Sequence, residues 1–150
     1  MIGREYERIS NKKNDLANKL VAKFKELDAV VMQDEQLNKW KIKNGRKIQH
    51  SILGRVKARL FNLENVHILN KYIPTTKMCT HCGSIVELSI RERTFKCPCG
   101  IEEDRDIHAA NNMIWFYKNN IGVGRTDFKP VELMNLVYKA LKQEDAMSLA

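Results

Sequence analysis

Apolar side chains recur along residues 5–27 at spacings of three, four and seven, with charged and amide side chains between them. This period matches one face of an α-helix, so the pattern predicts an amphipathic helix over residues 5–27. A second set with the same period follows Gly45 and predicts another helix. Its members are Ile48, Ile52, Val56 and Leu60, and those of the first helix are Tyr6, Ile9, Leu16, Leu20, Phe24 and Leu27.

Two short apolar runs, Ala29–Met32 and Val66–Leu69, have the length and the β-branched content of buried strands. A third helix is predicted to open at Asp104 or Asp106. A last helix is predicted to start at Pro130, since proline suits the first helical position. Helices and strands that alternate in this way favour an α/β layer with parallel strands joined by right-handed crossovers.

Basic side chains exceed acidic ones, with 26 Lys and Arg against 18 Asp and Glu in 150 residues. Most of the net charge of +8 falls in residues 1–70, which carry +7, whereas residues 71–150 carry +1. Such an excess favours a polyanionic partner such as DNA, although a merely solvated face can also be basic. The candidate nucleic-acid-binding residues lie on the second predicted helix: Arg46, Lys47, Arg55, Lys57 and Arg59.

The apolar content argues against membrane and secreted classes. No apolar run approaches the ~18 residues that a membrane span needs, and the first residues are charged rather than typical of a signal peptide. With 43% hydrophobic and 29% charged residues, the composition is that of a soluble globular protein. We therefore expect a cytoplasmic protein with no membrane partner.

The four cysteines are clustered, as Cys79-Thr-His-Cys82 and Cys97-Pro-Cys99. Without a secretory signal, clustered cysteines favour metal binding over disulfides. Two close-spaced pairs are typical of a zinc ribbon, in which four thiolates hold a structural Zn²⁺ tetrahedrally. The second pair is one residue short of C-x-x-C, so we expect a tighter turn there. Two alternatives stay open, namely that His81 replaces one ligand and that the four thiols are reduced and metal-free.

Two acidic residues stand where an α/β fold gathers reacting groups. Glu35 follows the first predicted strand, and Asp106 lies at the start of the helix after the cysteines. Carboxylates that converge at the carboxyl ends of strands can hold a pair of Mg²⁺ ions about 3.5–4 Å apart, which would activate water and stabilise the leaving 3′ oxygen of a phosphodiester. Each residue could equally be a solvated or helix-capping carboxylate.

Several stretches carry a resemblance to a known family: residues 74–83 (PTTKMCTHCG), 95–100 (FKCPCG) and 104–112 (DRDIHAANN). Together with residues 30–37 (VVMQDEQL), they resemble the C-terminal half of the TnpB (OrfB) proteins. Insertion sequences encode these proteins, which are related to the type V CRISPR effector nucleases. The resemblance covers roughly residues 5–118.

The resemblance implies a partial ribonuclease-H-like (RuvC) α/β core with an inserted zinc ribbon. It also implies an RNA-guided DNA endonuclease that uses Mg²⁺ and three carboxylates. Glu35 then corresponds to the second catalytic acid, with Asp34 as the alternative, and Asp106 to the third. The zinc ligands correspond to the four cysteines named above.

The chain departs from the family pattern at several points. It has no segment like the strand that carries the family's first catalytic aspartate, and His108 stands where the family usually has Asn. We therefore expect a core that lacks its first strands and a chain that alone is at best a poor nuclease, as a truncated form, a fragment or a degenerate copy. The expected domains are a partial core over residues 1–73, the ribbon over 74–103, a closing helix over 104–120 and a tail over 121–150.

Two functions from different classes follow. The chain is either the C-terminal portion of an RNA-guided DNA endonuclease, with DNA and a guide RNA as partners, or a non-catalytic zinc-ribbon protein or remnant that binds nucleic acid. A zinc ribbon that binds another protein is a third possibility, and such binding would survive high salt.

Overall fold

The computed structural model describes residues 2–34, 42, 45, 50–124 and 130–148. The first four elements alternate between helix and strand, as the hydrophobic pattern predicts, and the class is a small α/β fold. The elements are α1 (Ile2–Lys25), β1 (Val30–Gln33), α2 (Leu53–Leu60), β2 (Val66–Leu69), β3 (Thr94–Lys96), β4 (Glu102–Asp104), α3 (Arg105–Lys118) and α4 (Pro130–Ser148).

The chain divides into two compact units, residues 1–30 with 35–66 and residues 31–34 with 67–150. In the first unit, α1 buries Ala17 and Val21, and α2 buries Leu60. The carbonyl groups at the end of α1 have no partner within the helix. The side-chain amide of Asn65 donates to two carbonyls there, those of Phe24 at 2.9 Å and Leu27 at 2.7 Å.

Helix α2 is shorter than the apolar pattern that predicts it. Val56 and Leu60 lie in the helix, Ile52 is its N-cap residue, and Ile48 lies outside the described residues. The chain turns at His50 and bends at Ser51. The hydroxyl of Ser51 lies 3.4 Å from the backbone nitrogen of Leu53, a local contact that competes with helical pairing.

Strands β1 and β2 form a two-stranded sheet. The backbone nitrogen of Val30 donates to the carbonyl of Asn65 at 2.8 Å, and that of Asp34 donates to the carbonyl of Leu69 at 3.0 Å. Both bonds keep the same sequence offset and run in the same direction, so the pair is parallel, as predicted.

The second unit has a core in which α3 and α4 pack with the end of β2. Leu69, Phe116 and Val137 are fully buried there. The sequence predicts α4 but does not say whether it docks on the rest of the chain. The structure shows that it does, because its buried face joins a cluster consisting of Leu69, Ile73, Met78, Phe116, Ile121, Leu133, Val137 and Ala140.

The segment between β2 and α3 folds around a separate small core. Strands β3 and β4 pair antiparallel, with Phe95 opposite Glu103, and an isolated bridge joins Met78 to Ile85. Phe95 is fully buried between Cys79 and Cys97, with three partly buried apolar side chains around them. This hairpin arrangement with cysteines at its turns is consistent with a zinc ribbon.

In the described part of the chain, no helix combines the length and the apolar character that crossing a membrane requires.

Candidate metal centre

The four cysteine sulfurs lie together, with every Sγ within 4.8 Å of the others. Cys79 Sγ is 3.7 Å from Cys99 Sγ, and Cys82 Sγ is 3.5 Å from Cys97 Sγ. Four sulfurs at about 2.3 Å from a tetrahedral Zn²⁺ would be roughly 3.8 Å apart. The donor set and its spacing therefore fit a metal ion such as zinc. The shortened second turn does not exclude Cys99, whose sulfur lies within the cluster.

Each cysteine pair sits in a turn that ends at a glycine. In the first turn, the nitrogen of Gly83 donates to the carbonyl of Cys79 at 2.8 Å, and Gly83 has φ +75°. In the second turn, the nitrogen of Gly100 donates to the carbonyl of Cys97 at 2.9 Å, and Gly100 has φ +98°. These left-handed backbones favour glycine, because a Cβ would be strained there.

The pKa shifts of the thiols differ between the exposed Cys82 and the two buried cysteines of the cluster. Burial raises the pKa of the Cys79 thiol and raises the pKa of Cys97 to about 12. The side-chain hydroxyl of Ser84, 3.2 Å from the sulfur, lowers the pKa of Cys82 to about 6. Because a metal binds the thiolate form, its binding here must displace protons from the two buried thiols.

His81 is exposed between the first two cysteines and does not belong to the cluster of metal-ligating side chains found among the described residues. Four sulfurs already complete a tetrahedral set. The geometry thus favours the four-cysteine centre over the alternative in which His81 replaces a cysteine.

A buried histidine that the cysteine spacing does not indicate lies beside the cysteine turns. His108 of α3 is 2% exposed, and its ring stacks on Phe95 with centroids 3.6 Å apart. Its Nε2 is 2.8 Å from the carbonyl oxygen of Met78, and its Nδ1 is 2.6 Å from Oε1 of Glu103. The side-chain amide nitrogen of Asn112 also lies 3.0 Å from Nε2. Two polar residues one turn apart, His108 and Asn112, on the face of α3 that also carries Phe116 are the signal that could have identified the histidine.

The loop that enters the cysteine segment is held by the side chain of Gln33, at the end of β1. Its amide nitrogen donates to the carbonyls of Asn70 at 3.2 Å and Ile73 at 2.8 Å. Its amide oxygen accepts a hydrogen bond from the Thr75 hydroxyl at 3.0 Å. The sequence does not indicate this role of Gln33, because a polar residue at the end of a strand is common.

The structure describes two of the three acidic candidates, Asp34 and Asp106. Glu35 lies outside the described residues. Asp34 directly follows β1, where it is half-buried. Asp106 lies exposed in the first turn of α3, whose N-cap is Asp104, with Oδ1 accepting from the nitrogens of Asp106 at 2.8 Å and Ile107 at 3.2 Å. Capping is therefore done by Asp104, and within the described part of the chain the Asp106 carboxylate makes no hydrogen bond or ion pair.

Three of the basic candidates make contacts within the first unit. Arg55 donates to the carbonyl of Ser10 and to Oδ1 of Asn14, both at 2.9 Å. Arg59 donates to the same Oδ1 at 3.2 Å. The ammonium group of Lys57 lies 5.2 Å from the ring centroid of its neighbour Phe61. The other two candidates, Arg46 and Lys47, lie outside the described residues.

Comparisons with known proteins match the segment that contains the cysteine centre. The model of the family described as "Cas12f1-like, TNB domain" matches residues 55–113. A protein of Streptomyces pristinaespiralis that carries the provisional name RNA-guided DNA endonuclease is 29% identical over 126 residues, which is 75% of this chain and 30% of that protein. A provisionally named transposase of Paramecium bursaria Chlorella virus 1 is 50% identical over 40 residues, or 27% of this chain and 9% of that protein. The chain thus spans less than a third of the length of either relative.

Proposed function

We propose that this TnpB-like chain is the C-terminal portion of a transposon-encoded, RNA-guided DNA endonuclease. The observation that carries the proposal is the four-cysteine centre followed closely by the sequence Asp104-Arg-Asp106, which forms the N-cap and first turn of α3. Both lie within the stretch that matches the Cas12f1-like domain. The relative that aligns with most of this chain bears the name of such an endonuclease. The partners that this function requires are DNA and a guide RNA in the cytoplasm.

In this proposal β1, β2 and α3 belong to a partial ribonuclease-H-like (RuvC) core, and residues 74–103 are a zinc ribbon inserted into it. The parallel pairing of β1 with β2 supports the core, because ligands of parallel sheets gather at the carboxyl ends of the strands. The four sulfurs would hold one Zn²⁺ with a structural role, since four protein ligands leave no open position for a substrate.

The reaction proposed is the hydrolysis of a phosphodiester at a RuvC-like site. Bound Mg²⁺ would supply an activated water and charge stabilisation at the leaving 3′ oxygen. Glu35, with Asp34 as the alternative, and Asp106 are the residues of this chain that would hold it. The exposure of Asp106 supports this role, because a carboxylate that does not cap its own helix is available to a metal.

The test is Mg²⁺-dependent cleavage of a guide-matched DNA duplex by the protein that the complete reading frame around these residues encodes. Asp106→Ala and Glu35→Ala should each lower the cleavage rate by about 100-fold or more, because metal placement provides the catalysis. Glu102→Ala is a matched control, since this exposed carboxylate of β4 pairs with Lys96 and is not among the proposed metal ligands. Cleavage by Asp106→Ala at the wild-type rate, with guide and DNA still bound, would show that the site is assigned wrongly.

Binding to nucleic acid without catalysis is the second candidate, favoured by the net charge of +7 in residues 1–70. It predicts DNA binding that does not need Mg²⁺ and that weakens steeply with salt. Arg59→Ala should then lower the slope of log affinity against log salt by about one, as expected for one lost phosphate contact.

A matched variant separates the charge of Arg59 from its structural role. Asn14→Ala removes the Oδ1 acceptor that Arg59 uses on α1 but keeps the positive charge. If Arg59 binds phosphate, Asn14→Ala should leave the salt slope unchanged. Equal losses in both variants would instead mean that the arginine acts by holding α1 to α2, and affinity that ignores salt would exclude this function.

A further inference from the structure

Helix α3 presents a second polar side chain, Asn112, one turn after His108 and on the same face. Asn112 is 1% exposed, so its amide must be satisfied inside the protein. Its Nδ2 donates to the carbonyls of Thr75 and Met78, both at 2.7 Å. Its Oδ1 accepts a hydrogen bond from the hydroxyl of Thr80 at 3.0 Å.

These bonds enclose the first cysteine of the cluster. Met78 precedes Cys79 and Thr80 follows it, so the amide of Asn112 fixes the backbone and side chain on both sides of the sulfur-bearing residue. A carboxamide is the side chain that can do this, because it presents a donor and an acceptor at the same time. A buried hydrophobic residue of similar size would leave the Met78 carbonyl with one partner fewer.

His108 connects that turn to the second half of the cluster. Its Nε2 faces the same Met78 carbonyl, while its ring lies on Phe95, two residues before Cys97. Its Nδ1 reaches Glu103, which is the cross-strand partner of Phe95. One ring therefore touches the segment before the first cysteine pair and the strand pair that carries the second.

We propose that Asn112 and His108 are positioning residues for the metal centre, which hold the two cysteine turns at the sulfur spacing that a tetrahedral ion needs. Neither side chain touches the ion. They act through the Met78 peptide, the Thr80 hydroxyl and the Phe95 strand, so the affinity for the metal depends on two residues of the helix that carries Asp106. The inference rests on the proposed Zn²⁺ site and concerns how that site is built.

Thr80→Val is the variant that disturbs the fold least, because it replaces a half-buried hydroxyl by a methyl group of the same shape. Its matched control is Thr76→Val, a half-buried threonine of the same loop whose hydroxyl makes no hydrogen bond within the described residues. Asn112→Ala removes the three hydrogen bonds that the amide makes with Thr75, Met78 and Thr80. His108→Ala removes the link between the turns, and His108→Gln restores a polar side chain that can form hydrogen bonds in place of the ring.

The measurement is the Zn²⁺ dissociation constant of the full chain, by competition with a chromophoric chelator, together with the visible spectrum of the Co²⁺-substituted protein. We expect Asn112→Ala and His108→Ala to lower zinc affinity by roughly 10–100-fold, as for other residues that support metal ligands. Thr80→Val should lower it by roughly 3–10-fold, the effect of one hydrogen bond. Thr76→Val should stay near wild type, and His108→Gln should recover part of the loss.

The outcomes separate this inference from the proposed site itself. If the wild-type chain binds Zn²⁺ but Thr80→Val and His108→Ala bind it with wild-type affinity and an unchanged Co²⁺ spectrum, the positioning role is wrong and the metal site stands. If the wild-type chain binds no Zn²⁺, both are wrong. Should Asn112→Ala fail to fold, two comparisons still test the positioning role. One is Thr80→Val against Thr76→Val, and the other is His108→Gln against His108→Ala.

Discussion

The two cysteine turns offer a direct comparison of backbone strain with packing. Gly83 and Gly100 close equivalent turns with positive φ. A Cβ on Gly83 would lie 2.9 Å from Cδ1 of Leu141 on α4, whereas a Cβ on Gly100 would meet no atom within 4 Å. Replacing each glycine by alanine therefore imposes similar backbone strain, but Gly83→Ala also forces the Leu141 side chain of α4 to shift.

The expected losses follow from these distances. A left-handed backbone costs a residue with a Cβ about 1–2 kcal/mol, and the reduced entropy of the unfolded chain returns about 0.4–1 kcal/mol. Gly100→Ala should therefore lower the free energy of unfolding by about 1 kcal/mol. Crowding a packed site adds about 1–3 kcal/mol. Because Leu141 is half-buried and its Cδ1 is a side-chain end, we take the lower value, so Gly83→Ala should cost about 2 kcal/mol in total.

The assay is urea unfolding of the zinc-loaded proteins, followed by circular dichroism, with a double-mutant cycle. In the Leu141→Ala background, the extra loss caused by Gly83→Ala should disappear, because the atom that the Cβ would meet is gone. Equal losses for Gly83→Ala and Gly100→Ala in the wild-type background would refute the packing of α4 against the first turn. No loss in either variant would refute the left-handed turns.

Further predictions concern the thiols and the start of α3. In the zinc-free protein, iodoacetamide should alkylate Cys82 fastest near neutral pH because its pKa is lowered to about 6; Ser84→Ala should slow this reaction, and equal rates for all four thiols would contradict it. Zinc affinity should fall as the pH is lowered from about 8 to about 6, because burial raises the pKa of Cys97 to about 12 and protons compete with the metal; chelator competition that does not change with pH would contradict this. Asp104→Ala should lower the free energy of unfolding by about 1 kcal/mol through loss of the N-cap, whereas Asp104→Asn should retain most of it in the same urea experiment.

Local pattern was enough to predict most elements of the fold. The strands around Val30 and Val66 and the helix that opens after Asp104 follow from runs and periods of a few residues, which act within one element. The start of α2 was less predictable, because the contact between Ser51 and the Leu53 nitrogen competes with the helical period. Whether α4 docks could not be predicted, since that depends on the distant partners Leu69 and Phe116.

The metal centre, like the fold, is only partly predictable from local sequence. Cysteine spacing predicts the cluster, because two thiols in one turn can face one ion. It does not reveal that Cys99 comes close enough, which depends on the left-handed turn at Gly100. Nor does it reveal Asn112 and His108, which reach the first cysteine turn through contacts with residues 30 or more positions earlier.

Zinc analysis combined with X-ray absorption tests whether this chain holds one Zn²⁺ with four thiolates. We predict one zinc per chain and a first shell of four sulfurs at about 2.3 Å. A shell of three sulfurs and one nitrogen would place His81 in the site instead of a cysteine. Purified protein with no zinc, and with melting unaffected by a chelator, would contradict the claim.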